Sequence, residues 1–195
     1  NEKIETADFA VDVGGIWDAG KGRFDHHQRS FKGARPARLI DGEETAGVGY
    51  ASAGLVWSEY GGAYVKALAS SSGFELDAQA QAEIARSIDT SLVQYLDIVD
   101  TGQGDVAPGI FGLSALIAQL NTNWMEEKGL DAGTKAQLQE SRFREAMAIT
   151  RKLLDRAILK KVSQLRSMDI VRQAPKLLDG KVLHLQEGGM PWTRV

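Results

Sequence analysis

The chain predicts an α/β layer architecture on three observations: short apolar strands that end in aspartate or glycine, longer segments with apolar residues at three- and four-residue steps, and the succession of the first by the second. Asp8 to Val13, closed by Gly14-Gly15, reads as a short buried strand and a tight turn. The aspartate inside it, Asp12, is costly there unless it is used or paired. Residues 18–22 form a loop, and Arg23-Phe24-Asp25 enters a second short strand. Gln28 to Gly49 is polar, carries glycine and proline, and is expected to be a flexible surface loop. Ala51 to Tyr60 is small and apolar enough for a helix lying close on a sheet, with Gly61-Gly62 as its stop signal. Asp77 to Val99 is the clearest helix, with Ile84, Ile88, Leu92, Tyr95, Leu96 and Val99 on one stripe. Phe111 to Leu120 gives a shorter helix. Thr134 to about Ala174 gives a long one, with Leu138, Phe143, Met147, Leu154, Ile158 and Leu165 near helical spacing and Pro175 as its end. Val182 to Leu185 reads as a last strand, in which His184 alternates with leucines as a structural histidine, before Gly188-Gly189 and Pro191-Trp192.

Composition narrows the chemistry. The 195 residues allow one domain, or one domain with a small appendage. Hydrophobic residues at 43% and charged residues at 25% fit a chain that buries a core. Lys and Arg number 23 against 26 acidic residues, a formal charge of −3, which disfavours a basic module that grips a long nucleic-acid backbone. Nucleic acid held through bound divalent cations escapes that argument, because such ions are the largest local positive charges in a site. The absence of cysteine excludes disulfides, thiolate zinc sites and a cysteine nucleophile. No apolar run reaches the ~18–20 residues of a membrane span, and Asn1-Glu2-Lys3-Ile4-Glu5 lacks the features of a secretory signal, so a cytoplasmic protein with no membrane partner is expected.

Carboxylates and imidazoles remain as the candidate ligands. Two of the three histidines are adjacent, His26-His27, directly after Asp25, and Asp12 ends the preceding strand. Groups at the carboxyl ends of neighbouring strands converge on one crevice, so Asp12 and His26 can share a site across the intervening loop. Carboxylate with imidazole suits Mn²⁺, Mg²⁺ or Fe²⁺ better than a structural zinc. A third element is Asp97-Ile98-Val99-Asp100-Thr101-Gly102 at the end of the clearest helix. Its two carboxylates, at i and i+3, share a face where the helix dipole disfavours negative charge, and their placement asks for a compensating cation. Against this stand plainer readings: a histidine pair alone is more often a surface or core pair, an aspartate at a helix end is usually solvated or capping, and Asp12 alone could form a turn.

Val11-Asp12-Val13-Gly14-Gly15, followed by Arg23-Phe24-Asp25-His26-His27-Gln28-Arg29, resembles the melanocyte-proliferating-gene protein family, described as metal-dependent hydrolases or exonucleases. The resemblance continues through Ser52-Ala53-Gly54-Leu55-Val56, Asp97-Ile98-Val99-Asp100, Leu120-Asn121 with Trp124, and Pro191-Trp192. That family is similar to the DHH phosphoesterases. The resemblance implies a layered α/β fold with a mainly parallel sheet flanked by helices, with a metal-binding region over residues 1–125 and a helical segment plus late strand, part of a C-terminal region, over 126–195. It also implies two divalent ions, Mn²⁺ favoured and Mg²⁺ the alternative. Asp12 would bridge them, His26 would ligate, His27 would face the substrate phosphate, and Asp25 would orient the histidines. Arg29 would meet substrate. For the fourth motif Asp100 is preferred and Asp97 competes.

The implied reaction is two-metal hydrolysis of phosphodiesters by a 3′–5′ exoribonuclease acting on RNA or short oligonucleotides. Two departures bear on it: Thr101 stands where the family has asparagine, and the family's first motif, a His- and Asp-bearing strand, should precede Asp12 by many residues. The expectation is a chain incomplete at its N-terminus, or a divergent form. Pyrophosphate or small nucleotides are the alternative substrates for the same metals. A catalytically silent metal-binding or interaction module is the alternative from another class, and the long helix leaves room for a homo-oligomer.

Overall fold

Three strands of two residues each carry the N-terminal part of the molecule, seen in a computed structural model that describes residues 2–40, 43–104, 112–186 and 188–189. After a short helix α1 (Glu2–Thr6), β1 (Ala10–Val11) pairs in parallel with β3 (Arg23–Phe24), and β2 (Trp17–Asp18) pairs with β3 from the other side, antiparallel. Phe24, fully buried, is the apolar anchor of this sheet, and its ring meets Tyr60 edge-on at 5.7 Å. The mainly parallel sheet expected from sequence is not what these residues form. β1–β3 is a single parallel pair, the other pairings are antiparallel, and the outer edge of β1 has no strand partner among the described residues.

The segment expected to be a flexible loop contains a hairpin, β4 (Arg38–Ile40) with β5 (Glu43–Thr45). Below the arms the neck is closed by a bridge between Ala34 and Gly49 and by Arg35 N–H donating to the Val48 carbonyl at 2.9 Å.

Helix α2 (Ser52–Ser71) runs through Gly61-Gly62 instead of stopping there. The reason is packing: a Cβ on Gly61 would stand 2.6 Å from the Trp57 indole, so glycine leaves the ring its place against the helix. The helix ends instead ahead of Gly73, whose φ of 81° is the left-handed conformation glycine adopts without penalty.

The expected helix over 77–99 is present but interrupted: α3 (Ala78–Ile88), a π-helical turn (Asp89–Val93), then α4 (Gln94–Asp100). Asp77 caps its start by accepting from Ala80 N–H at 2.7 Å. The π-turn inserts one residue, so the buried stripe steps 84, 88, 93, 97, and Tyr95 and Val99, placed on the stripe by sequence spacing, are exposed. Short helices α5 (Leu113–Ala118) and α6 (Trp124–Glu127) lead to α7 (Ala132–Gln173), after which β6 (Lys176–Leu177) and β7 (Val182–Leu183) close a small hairpin. His184 is exposed, and its backbone N–H donates to the Pro175 carbonyl at 2.9 Å, so it fills no buried sheet position. Pro191-Trp192 lies outside the described residues.

The core is a three-helix contact: Val65 and Ala69 of α2, Ile84, Ile88 and Val93, and Ile158 and Val162 of α7, with Trp57, Leu154 and Leu165 around them. Each such Ile or Val stabilises by about 1.5–3 kcal/mol relative to exposure. Trp57 Nε1–H adds a bond to the Ala85 carbonyl at 3.1 Å, joining α2 to α3. Only the C-terminal half of α7 joins this core. Phe143 and Met147, expected on its buried stripe, are 64% and 51% exposed. No helix among the described residues is long and apolar enough to cross a membrane.

Candidate metal centre

Asp12 leaves β1 with φ of 61°, a left-handed conformation uncommon for a residue with a side chain, which turns its carboxylate toward the end of β3. There Asp25, His26 and His27 follow Phe24 directly. One ligand atom from each of Asp12, Asp25, His26 and His27 lies within 4.8 Å of the others. Asp100, at the end of α4, joins from the helical side, its Oδ2 at 3.5 Å from His26 Nε2. Asp12 Oδ1 stands 3.6 Å from His26 Nδ1 and 3.8 Å from His27 Nδ1.

The hydrogen bonds of Ser52, the first residue of α2, assign the ring of His26. Its single hydroxyl proton goes to Asp12 Oδ1 at 3.0 Å. His26 Nδ1 lies 3.1 Å from the Ser52 hydroxyl oxygen and donates to it, so an imidazole that ligates a metal would do so through Nε2, which faces the Asp100 carboxylate. A cation between Nε2 and that carboxylate oxygen would be held by both. Two donors bound to one small divalent ion at about 2.0–2.2 Å stand roughly 3–4 Å apart, which is the spacing found here. With oxygen and imidazole donors and no thiolate, the set suits a hard or borderline divalent ion.

Asp25 has a different place. It is buried, and its oxygens accept from Gly15 N–H at 2.6 Å, His27 N–H at 3.0 Å and His27 Nδ1 at 2.7 Å. Burial pushes its carboxyl up, but these bonds outweigh burial and hold it at about 2. The same bond to Asp25 raises the His27 pKa. Asp25 therefore fixes His27 with Nδ1 inward and Nε2 outward, the arrangement by which a carboxylate orients a functional imidazole. Arg29 is exposed two residues further on.

Asp97 lies apart from this cluster although it is three residues from Asp100. It is fully buried, its Oδ1 accepts from Gly54 N–H at 3.0 Å, and its Oδ2 accepts from Arg35 Nη1 at 2.8 Å. The compensating cation that the helix end asked for is, at Asp97, Arg35. Ala51 at the N-cap of α2 has no side chain to offer the helix start, and Asp97 supplies that cap from another helix. Gly54 is small by necessity: a Cβ there would meet Asp97 Oδ2 at 1.9 Å. Sequence reasoning missed Ser52 as a partner of Asp12, and Arg35 altogether. The signals available were a serine at a helix start and an arginine immediately before a proline in an otherwise small-residue loop.

The fold and this cluster define a class first: a mixed α/β, helix-rich protein whose carboxylate–imidazole group fits a divalent cation. The chain belongs to the family whose model, MYG1_exonuc (Uncharacterised protein family, UPF0160), matches residues 1–195. It is 29% identical over 203 residues to the MYG1 exonuclease of Bos taurus, covering 98% of this chain and 50% of that protein. It is 30% identical over 203 residues to the MYG1 exonuclease of Mus musculus, with the same coverage of 98% and 50%. Against the MYG1 protein C27H6.8 of Caenorhabditis elegans it is 28% identical over 207 residues, 97% of this chain and 55% of that one. The chain thus spans about half the length of the curated relatives it matches. No solved structure gives a significant match.

Proposed function

We propose that the chain carries a metal-dependent phosphodiesterase centre, and that the reaction is 3′–5′ exonucleolytic hydrolysis of RNA or short oligonucleotides with two divalent ions, Mn²⁺ preferred over Mg²⁺. The observation that carries this reading is the facing pair His26 Nε2 and Asp100 Oδ2 at 3.5 Å, with Asp12 at 3.6 Å on the other side of the same ring. The relatives' names, exonuclease in two of the three cited, support the reaction class.

Within the 1–125 region, Asp12, His26 and Asp100 would hold the metal. Asp12 would be shared between the ions; it is half-exposed, and its bond to Ser52 uses Oδ1. Asp100 takes the fourth-motif place because both oxygens of Asp97 are already bonded to Arg35 and Gly54. Bound divalent ions supply Lewis-acid polarisation of the phosphoryl group and a water acidic enough to attack near neutral pH. Asp25 orients His27 and favours its protonated form, and His27 presents Nε2–H to the negative charge that grows on the phosphoryl oxygens. Arg29 adds positive charge beside it. The net charge of −3 fits a short substrate gripped near the site instead of a long tracked backbone.

End-labelled oligoribonucleotides and pyrophosphate, each with Mn²⁺ and with chelator, test the reading. The expected result is stepwise shortening from the 3′ end, abolished by chelator and by His26→Ala. Phosphate release from pyrophosphate without shortening of RNA would overturn it.

A further inference from the structure

Arg35 is a buried cation that the proposed chemistry does not use. Its side chain is 2% exposed, and each of its three guanidinium nitrogens is bonded. Nε and Nη2 fork onto the two oxygens of Asp89, at 2.8 and 2.6 Å, Nη1 reaches Asp97 Oδ2 at 2.8 Å, and the guanidinium lies over the Tyr50 ring at 4.5 Å. Two carboxylates and one aromatic ring hold it as an always-charged group; burial alone would lower its pKa, and Asp89 and Asp97 reverse that.

The π-turn explains how both carboxylates reach one guanidinium. Eight residues of regular α-helix rotate by about 800°, which leaves Asp89 and Asp97 roughly 80° apart. With one residue absorbed in the Asp89–Val93 turn, the rotation is about 700°, and the two fall within roughly 20° of one another. The cluster joins three pieces of chain: the hairpin neck through Arg35, the start of α2 through Gly54, and α4 through Asp97. Each of the last two carries a residue of the metal cluster two or three positions along. Ser52 is two residues before Gly54, and Asp100 is three residues after Asp97. A second tie runs the same way, from Gly49 N–H to Gln103 Oε1 at 3.1 Å.

We propose that Arg35 is the positioning residue of the centre: by clamping Asp89 and Asp97 it fixes Asp100 on α4 relative to Ser52 and His26, and so sets divalent-cation affinity without touching the cation. The proposal rests on the metal-centre reading above. The test uses the chain as it is, with Mn²⁺ as the probe. Arg35→Lys keeps the charge but loses the fork, Asp89→Asn loosens one arm, and Ile158→Val lowers stability in the three-helix core away from the cluster. Calorimetric Mn²⁺ titration is expected to give about tenfold weaker binding for Arg35→Lys, a smaller loss for Asp89→Asn, and native binding for Ile158→Val. Hydrogen exchange without metal is expected to speed up at the Gly54 amide and around 101–103 in Arg35→Lys. Native affinity in Arg35→Lys, equal losses in Arg35→Lys and Ile158→Val, or unchanged exchange at those amides each overturn the positioning role. A native chain that takes up no Mn²⁺ overturns the metal-centre reading and the affinity claim with it, while the exchange result still decides whether Arg35 fixes the two helices.

Discussion

Asp97 and Asp100 are one helical turn apart and chemically identical, yet they end in opposite circumstances. Asp97 is fully buried with both oxygens bonded to groups of the chain. Asp100 is half-exposed, with His26 Nε2 at 3.5 Å. The first carboxylate is closed by its partners and the second is left open, and that difference separates a carboxylate that builds the fold from one available for chemistry. Removing either should therefore produce effects of different kinds as well as different sizes.

The largest effect is expected at the closed carboxylate. Asp97→Ala leaves Arg35 half-paired in the interior and uncaps α2, and should cost about 3–5 kcal/mol, read as a lower denaturant midpoint. Asp100→Asn should leave that midpoint nearly unchanged and weaken Mn²⁺ binding; a native-like midpoint in Asp97→Ala would break the distinction. Next comes His26→Ala, which should weaken Mn²⁺ binding more than about 100-fold, beyond what loss of a supporting group does, at a stability cost of about 1 kcal/mol. Gly54→Ala sharpens the comparison from the opposite side. Its new methyl would stand 1.9 Å from Asp97 Oδ2 and must push the carboxylate off the helix start, costing about 1–3 kcal/mol.

At neutral pH the smallest effect is expected from a pair whose contribution depends on pH. Asp25 is held at about 2, below its ordinary 3.8, so its stabilisation is fully present above pH 4 and is lost as pH falls through 2, a total of about 2 kcal/mol. His27, raised by the same bond, contributes in the other direction: its share is present below about pH 6.5 and lost as pH rises through its folded value. Urea unfolding in chelator between pH 5 and pH 2 should show the acid-side loss in the native chain and a flatter profile in Asp25→Asn. Equal slopes would mean that the bonds from Gly15 and His27 are not what holds Asp25 charged.

The residues whose neighbours in sequence are also their neighbours in space were legible in advance. Asp25, His26 and His27 are consecutive, and Asp12 was marked by its cost inside an apolar strand. The choice between Asp97 and Asp100 was not legible from the helix alone, since i and i+3 share a face and only burial parts them. Arg35 was hidden because its partners lie 54 and 62 residues away and its own segment has the composition of a loop. Gly61-Gly62 misled for a related reason, as glycine spared for an indole looks in sequence like glycine spared for a turn. The shallow sheet also escaped the pattern, because two-residue strands carry too little alternation to fix direction.

The π-turn at Asp89–Val93 makes this part of the molecule sensitive to counting. Exchanging an exposed residue such as Ser91 or Tyr95 leaves the count between Asp89 and Asp97 unchanged, and with it the convergence of the two carboxylates on one guanidinium. Deleting a single residue from the turn would restore a regular helix and swing Asp97 and Asp100 together by about 100° around its axis. Arg35 would lose one partner and His26 would face a different side chain, with every participating residue still present. Length, at this one place, is as much a part of the site as the identity of its residues.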